Sequence, residues 1–158
     1  DSRTKQDFTR RITQSNRSEL VVIMYEEFLD SVKEGDAQMK QGDMPACRRE
    51  IERARGLLTE LMGSLDFQYE ISFYLRRLYI YSYHELCQGM ALRDSERFAH
   101  ATHVMEQLLP SFREVAKQDT SEAVMKNVQQ IYAGLTYGRG SLNETIGVDI
   151  GKNRGFEA

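Results

Sequence analysis

Four stretches of helix-period apolar residues, separated by breaks of only a few residues, constrain this chain more than any other feature. The first opens at Asn16-Arg17-Ser18-Glu19, where Asn16 can cap a helix and Glu19, three residues on, can reach back to the cap's own N–H. Val21, Met24, Tyr25, Phe28, Val32 and Met39 then recur at three-, four- and seven-residue spacing to about Gln41. Gly42-Asp43 breaks this helix and Met44-Pro45 opens the next, because proline in the first helical turn loses nothing by lacking an N–H. The second stripe is Cys47, Ile51, Ala54, Leu58, Leu61 and Leu65. A third helix is predicted from about Tyr69 to Leu92, with Ile71, Leu75, Leu78, Tyr79, Ser82, Leu86 and Met90 facing inward. A fourth, from about Glu96 to Lys117, carries Phe98, Ala101, Met105, Leu108, Phe112 and Val115.

Helices this long joined by connections this short are forced to pack on their neighbours with alternating direction. The expected fold is therefore all-α: an antiparallel up-and-down four-helix bundle with a short fifth C-terminal helix and an N-terminal arm. Pro110 lies inside the fourth helix and leaves the carbonyl of Glu106 without its intrahelical donor, which predicts a kink or break. Asp119-Thr120-Ser121 is expected to cap the fifth helix, with Val124, Val128, Ile131 and Leu135 on its apolar side. Five of the 11 glycines fall in residues 138–158, where no apolar period is visible. The domain reading is a basic arm over residues 1–15, a single bundle over 16–137 and a Gly-rich tail over 138–158.

A chain of 158 residues with 41% apolar and 28% charged residues and only 2 Pro fits one helical domain and excludes extended disorder over most of its length. Its longest apolar run, Leu20 to Tyr25, is too short for membrane insertion. The net charge of −3 argues against a nucleic-acid partner. Residues 1–17 depart from this balance, since Arg3, Lys5, Arg10, Arg11 and Arg17 face only Asp1 and Asp7, a net +3. No aromatic platform accompanies them, so a mobile basic arm resting on an acidic body is expected instead of an RNA-binding arm or a transit peptide.

Sites for chemistry are scarce. A di-iron bundle needs Glu three residues before His on two helices; here the −3 positions of His84, His100 and His103 are Tyr81, Arg97 and His100. His100, His103 and Glu106 share a helix face, but histidines on a bundle's rim are usually plain surface residues. Cys47 and Cys87 sit at helical positions without a glycine elbow and read as small apolar fillers, consistent with a reducing cytoplasm. Tyr137-Gly138-Arg139-Gly140 follows a helix, where phosphate loops follow a strand. The arginine pairs at 48–49 and 76–77 read as solvated faces or salt-bridge donors. No enzyme, metal or cofactor is expected.

The third helix is apolar almost all round. With its core face centred near Leu75 and Ser82, Tyr74 and Tyr81 form a second stripe about 100° away, and Phe73, Ile80 and Cys87 form a third nearly opposite. Either this helix is the most buried element, or part of its surface is a groove for a partner's amphipathic helix. The candidate partner-binding residues are Phe73, Tyr74, Ile80, Tyr81 and Tyr83, with Val22 and Leu29 from the outer face of the first helix. Five of the 8 tyrosines lie between Tyr69 and Tyr83, and tyrosine suits a docking surface because it offers a large ring, a polar tip and few rotamers to freeze. An arm including Phe8 and Ile12 is expected to cover the groove when it is empty.

Four blocks stand out in order and spacing over residues 12–117: Ile12-Thr13-Gln14-Ser15-Asn16-Arg17-Ser18-Glu19-Leu20 followed by Val22-Ile23-Met24-Tyr25-Glu26, Leu58-Thr59-Glu60-Leu61 with Ser64-Leu65-Asp66-Phe67, Leu78-Tyr79-Ile80-Tyr81, and Asp94. Together they resemble the flagellar secretion chaperone FliS family. The family's Arg-Arg-Leu stands here as His84-Glu85-Leu86. What the resemblance implies is a cytoplasmic export chaperone, monomeric or weakly dimeric, that binds the C-terminal segment of flagellin, blocks premature polymerisation and presents the subunit to the flagellar export apparatus. A helical adaptor or self-associating bundle unrelated to flagellin is the alternative.

Overall fold

The structure, a computed structural model, describes residues 2–124, and every regular element among them is an α-helix. These are α1 (Ser2–Gln14), α2 (Arg17–Lys40), α3 (Met44–Gly63), α4 (Glu70–Leu92) and α5 (Ser95–Gln118). α2, α3 and α5 each open on a side-chain cap, whereas α4 follows Tyr69 without one. Asn16 Oδ1 accepts from Glu19 N at 3.0 Å, Asp43 Oδ1 from Ala46 N at 3.0 Å and Asp94 Oδ1 from Glu96 N at 3.0 Å. Each bond occupies one of the free N–H groups that open a helix.

Residues 16–121 form one compact unit in which α2 packs on α3 and α5, and α4 packs on α3 and α5. Side chains fix the register of each pair. Arg17 at the start of α2 reaches the carbonyl of Ser64 just after α3 (3.2 Å), and Glu27 pairs with Arg53 at 2.6 Å. Ser18 donates to Asp119 at the far end of α5 (2.5 Å), while Ser95 at the start of α5 donates to Asp36 near the end of α2 (2.5 Å). Ser82 of α4 donates to the carbonyl of Ala101 in α5 at 3.3 Å.

The core runs through all four helices and is anchored by Tyr25, Phe28, Leu58, Tyr79, Leu86, Phe98 and Met105, each at most 1% exposed. Burying side chains of this size contributes about 1.5–3 kcal/mol apiece. Tyr25 and Tyr79 meet edge to face, their ring centroids 6.2 Å apart, and join hydroxyls in a short hydrogen bond. Burial pushes the phenol pKa of both tyrosines up, so neither ionises in the interior.

The structure departs from expectation at six places. Val115 is 53% exposed, because the buried line of α5 runs through Phe98, Ala101, Met105 and Leu109 and ends before it. Ile71 is exposed, because the buried line of α4 runs through Ser72, Leu75, Tyr79, Ser82 and Leu86; Ser72 Oγ donates to the carbonyl of Asp66 (2.6 Å) and so draws the preceding turn onto the helix. Val22 is 9% exposed and belongs to the core, because α2 packs on two helices and buries a wider arc than a single stripe. Pro110 causes no break: α5 runs unbroken to Gln118, with the proline ring exposed and Met105, Leu109 and Phe112 packed on either side of it. Residues 2–14, where no helix was expected, form α1, a stretch without Gly or Pro and with Arg11 in its last turn, where a cation complements the helix dipole. Finally, residues 121–124, where a fifth helix was expected to start, are not helical. Val128, Ile131, Leu135 and residues 138–158 lie outside the described residues.

Candidate functional site

α3 and α4 are the least closely packed pair in the ring, and two cavities open along their seam. The larger, about 370 Å³, is lined by Thr59 and Met62 from α3 and by Ile80, Tyr83, His84 and Cys87 from α4. The second, about 280 Å³, lies farther along, between Arg48, Ile51, Glu52 and Arg55 on one side and Cys87, Met90 and Ala91 on the other. Cys87 lines both, so they read as one groove.

Helical spacing explains why these side chains share the groove. Arg48, Glu52, Arg55, Thr59 and Met62 recur every three or four residues on α3, and Ile80, Tyr83, His84 and Cys87 do so on α4. Seven residues before Ile80 on the same α4 line comes Phe73, whose ring stacks at a tilt against Phe67, centroids 5.1 Å apart. This aromatic pair continues the Ile80–Cys87 line toward the start of α4, beyond the lining of the two cavities.

Between the two cavities α3 and α4 are clasped together. Arg55 donates from Nη2 to the hydroxyl of Tyr83 at 2.8 Å, and its guanidinium carbon lies 4.8 Å from the centre of the same ring. The hydrogen bond to Tyr83 raises the arginine's pKa further. Arg55 Nε is buried with no acceptor. About two helical turns away along both helices, the Cys47 thiol contacts Met90 Sδ at 3.4 Å, and burial, with the charge of Asp36 adding to it, holds the Cys47 pKa above its ordinary value.

The residues singled out in the sequence divide between several surfaces. Ile80 (44% exposed) and half-buried Tyr83 line the groove, and Phe73 (54%) continues the Ile80 line beyond the cavity lining. Tyr74 (52%) and Tyr81 (45%) are exposed on the flank of α4 turned away from α3. Leu29 is half-buried beside a separate cavity of about 280 Å³ between α2 and α5. Val22 is in the core, and Phe8 and half-buried Ile12 fall within α1. Missing from the sequence-derived set was the whole α3 wall. Its three-four spacing was visible, but Arg, Glu and Thr in that pattern read as a solvated helix face.

The buried carboxylate of Glu85 is the strongest charge inside the α4–α5 contact. It pairs with Arg97 (3.1 Å) and lies 3.0 Å from His100 Nδ1, which satisfies both oxygens. His100 is thus committed to a structural contact. Among the described residues no three His, Cys, Asp or Glu side chains gather as a metal site requires, and no helix is long and apolar enough to cross a membrane.

Comparison with curated proteins returned no match. The family profile described as Flagellar protein FliS matches residues 2–119, the span that contains all five helices and the whole α3–α4 groove. The chain belongs to the FliS family of flagellar export chaperones.

Proposed function

We propose that this chain is a cytoplasmic chaperone that binds the C-terminal segment of flagellin in the α3–α4 groove, keeps it from polymerising and presents it to the flagellar export apparatus. The observation that carries this reading is the open apolar groove within a chain of the FliS family. A disordered segment that folds on binding gains by laying an apolar helical face into such a groove, and its own aggregation-prone surface is covered in the same step. Nothing in this role requires bond making or a nucleotide.

The same reading holds α2 to α5 to be an antiparallel up-and-down four-helix bundle. It is supported by the pairing of Ser18 with Asp119 and of Asp36 with Ser95, which sets the start of each helix beside the end of the other. Contacts at the two ends of α2 and α3, through Arg17 with Ser64 and Gly35 with Ile51, follow the same rule.

Calorimetric titration of the purified chain with a peptide from the C-terminal segment of flagellin tests the function. Binding at micromolar concentration or tighter is expected, with a negative heat-capacity change from apolar burial. Absence of binding, with concentration-dependent mass in light scattering, would favour a self-associating bundle.

A further inference from the structure

The groove is apolar at its floor but cationic at its walls. Arg48 and Arg55 stand on the α3 side, and Arg76 lies one turn before Ile80 on the same face of α4, with Arg77 beside it. Among the described residues Arg48, Arg76 and Arg77 form no ion pair, although Arg53, Arg97 and Arg113 all do. Arg55 is held by Tyr83 but keeps a buried Nε–H without an acceptor, a group that is costly to leave unsatisfied. Among the residues that line the two cavities, two arginines, Arg48 and Arg55, stand against one carboxylate, Glu52, so the lined part of the seam carries an excess of positive charge on a protein whose net charge is −3.

From this we infer that the occupant of the α3–α4 groove is an acidic amphipathic helix, with one apolar stripe packed against Met62, Ile80 and Cys87 and with carboxylates along its edges that pair with Arg48, Arg55, Arg76 and Arg77. The inference deepens the proposed chaperone function and rests on that reading for the identity of the partner, though not for its chemistry. Length follows from the walls. From Arg48 to Met62 the α3 wall extends about 21 Å, and from Phe73 to Ala91 the α4 wall extends about 27 Å, at about 1.5 Å per residue. A helix of about four to five turns fills that distance. Three-four spacing on both walls is the pattern into which the side chains of a third helix interdigitate.

Charge gives such a groove selectivity more than raw affinity. Each exposed pair is worth little alone, but several carboxylates facing several unpaired guanidiniums along one seam add up, and a basic helix of the same shape is rejected. Arginine is suited to the task because its planar fork donates to both oxygens of a carboxylate.

The test uses three synthetic amphipathic peptides of about five turns that share one Leu/Ile stripe and differ only in the flanking residues, Glu, Gln or Lys. Binding to the whole chain is read by fluorescence anisotropy at low and high salt. The Glu peptide is expected to bind about tenfold tighter than the Gln peptide at low salt, with the Lys peptide weakest and the preference shrinking at high salt. In the double variant Arg76→Glu/Arg77→Glu the order of the Glu and Lys peptides is expected to reverse, and because both arginines are exposed and unpaired the fold is retained, as circular dichroism would verify. Equal binding of the Glu and Gln peptides, no binding of the Glu peptide, or a preference unchanged in the double variant would overturn the inference. A flagellin C-terminal peptide run alongside separates the two claims. If it fails to bind while the Glu preference holds, the chaperone assignment falls and the acidic-helix groove stands; if it binds and the three peptides are indistinguishable, the reverse is true.

Discussion

Arg55 of α3 lies across Tyr83 of α4, with its guanidinium carbon 4.8 Å from the ring centre and Nη2 donating to the hydroxyl at 2.8 Å. This contact clasps α3 to α4 at mid-height and leaves open space above and below it. The groove is therefore a divided seam with Cys87 reachable from both halves. A helix lying along the seam would rest on the Arg55–Tyr83 clasp and fill both openings.

The two thiols should consequently differ in reactivity. Cys47 is fully buried and its pKa is pushed up by burial, whereas Cys87 is half-buried and lines both cavities. Under native conditions a maleimide is expected to modify Cys87 while leaving Cys47 unmodified, as peptide mass spectrometry would show, and a bound flagellin segment should slow labelling at Cys87. Equal labelling of both thiols would contradict the burial, and unchanged labelling in the complex would place the partner elsewhere.

Within the core, Tyr25 and Tyr79 each satisfy the other's hydroxyl. Tyr79→Phe leaves the Tyr25 hydroxyl buried and alone, at an expected cost of about 1–3 kcal/mol. The double variant Tyr25→Phe/Tyr79→Phe removes both polar groups and is expected to be more stable than either single variant. Chemical denaturation of the four proteins measures the coupling, and simple additivity would show that the bond contributes nothing.

Two helical glycines have opposite roles. A Cβ at Gly56 would meet nothing within 4 Å, so Gly56→Ala is expected to stabilise α3 by about 1 kcal/mol through helix propensity. A Cβ at Gly89 would lie 2.5 Å from Phe98 Cε1, and Phe98, only 1% exposed, has no room to retreat. Gly89→Ala is expected to cost about 1–2 kcal/mol net, overpacking outweighing propensity. Thermal unfolding of the two variants checks both signs.

Asp119, at the end of α5, is held down to about 2 from its usual 3.8 by hydrogen bonds from Ser121 and from Ser18 at the start of α2. A carboxylate whose folded pKa lies below its unfolded value contributes stability that is fully present above about pH 4. That contribution is lost as pH falls through the window from about 4 to about 2. Asp119→Asn should therefore be less stable than the parent at neutral pH and show a smaller change across that window in acid titrations followed by circular dichroism. Identical acid profiles would remove Asp119 from the ties between α2 and α5.

Helices α2 to α5 were legible because each carries its own apolar stripe, and α2, α3 and α5 also open on an acceptor side chain: Asn16, Asp43 and Asp94 each take up a backbone N–H of the first turn. What a single helix cannot reveal is how many neighbours it will have. Val22 reads as outward from a stripe that serves one contact, whereas α2 buries against both α3 and α5 and takes Val22 into the core. The Phe73–Ile80–Cys87 line was recognised as surplus apolar surface, and it borders the groove. Its partner wall was not, because Arg55 and Thr59 look solvated until α4 is laid beside them. At Pro110 the helix does not break: one missing backbone bond costs about 3 kcal/mol in isolation, yet α5 continues to Gln118 with Met105, Leu109 and Phe112 packed against the core around the proline.

Hydrogen exchange of the whole chain, with and without a flagellin C-terminal segment, tests the groove most directly. Slower exchange on binding is expected in α3 from Arg48 to Met62 and in α4 from Phe73 to Ala91, with the α2–α5 contact little changed. Protection confined to α2 and α5, or no change anywhere at saturating peptide, would contradict the assignment of the α3–α4 groove as the docking surface.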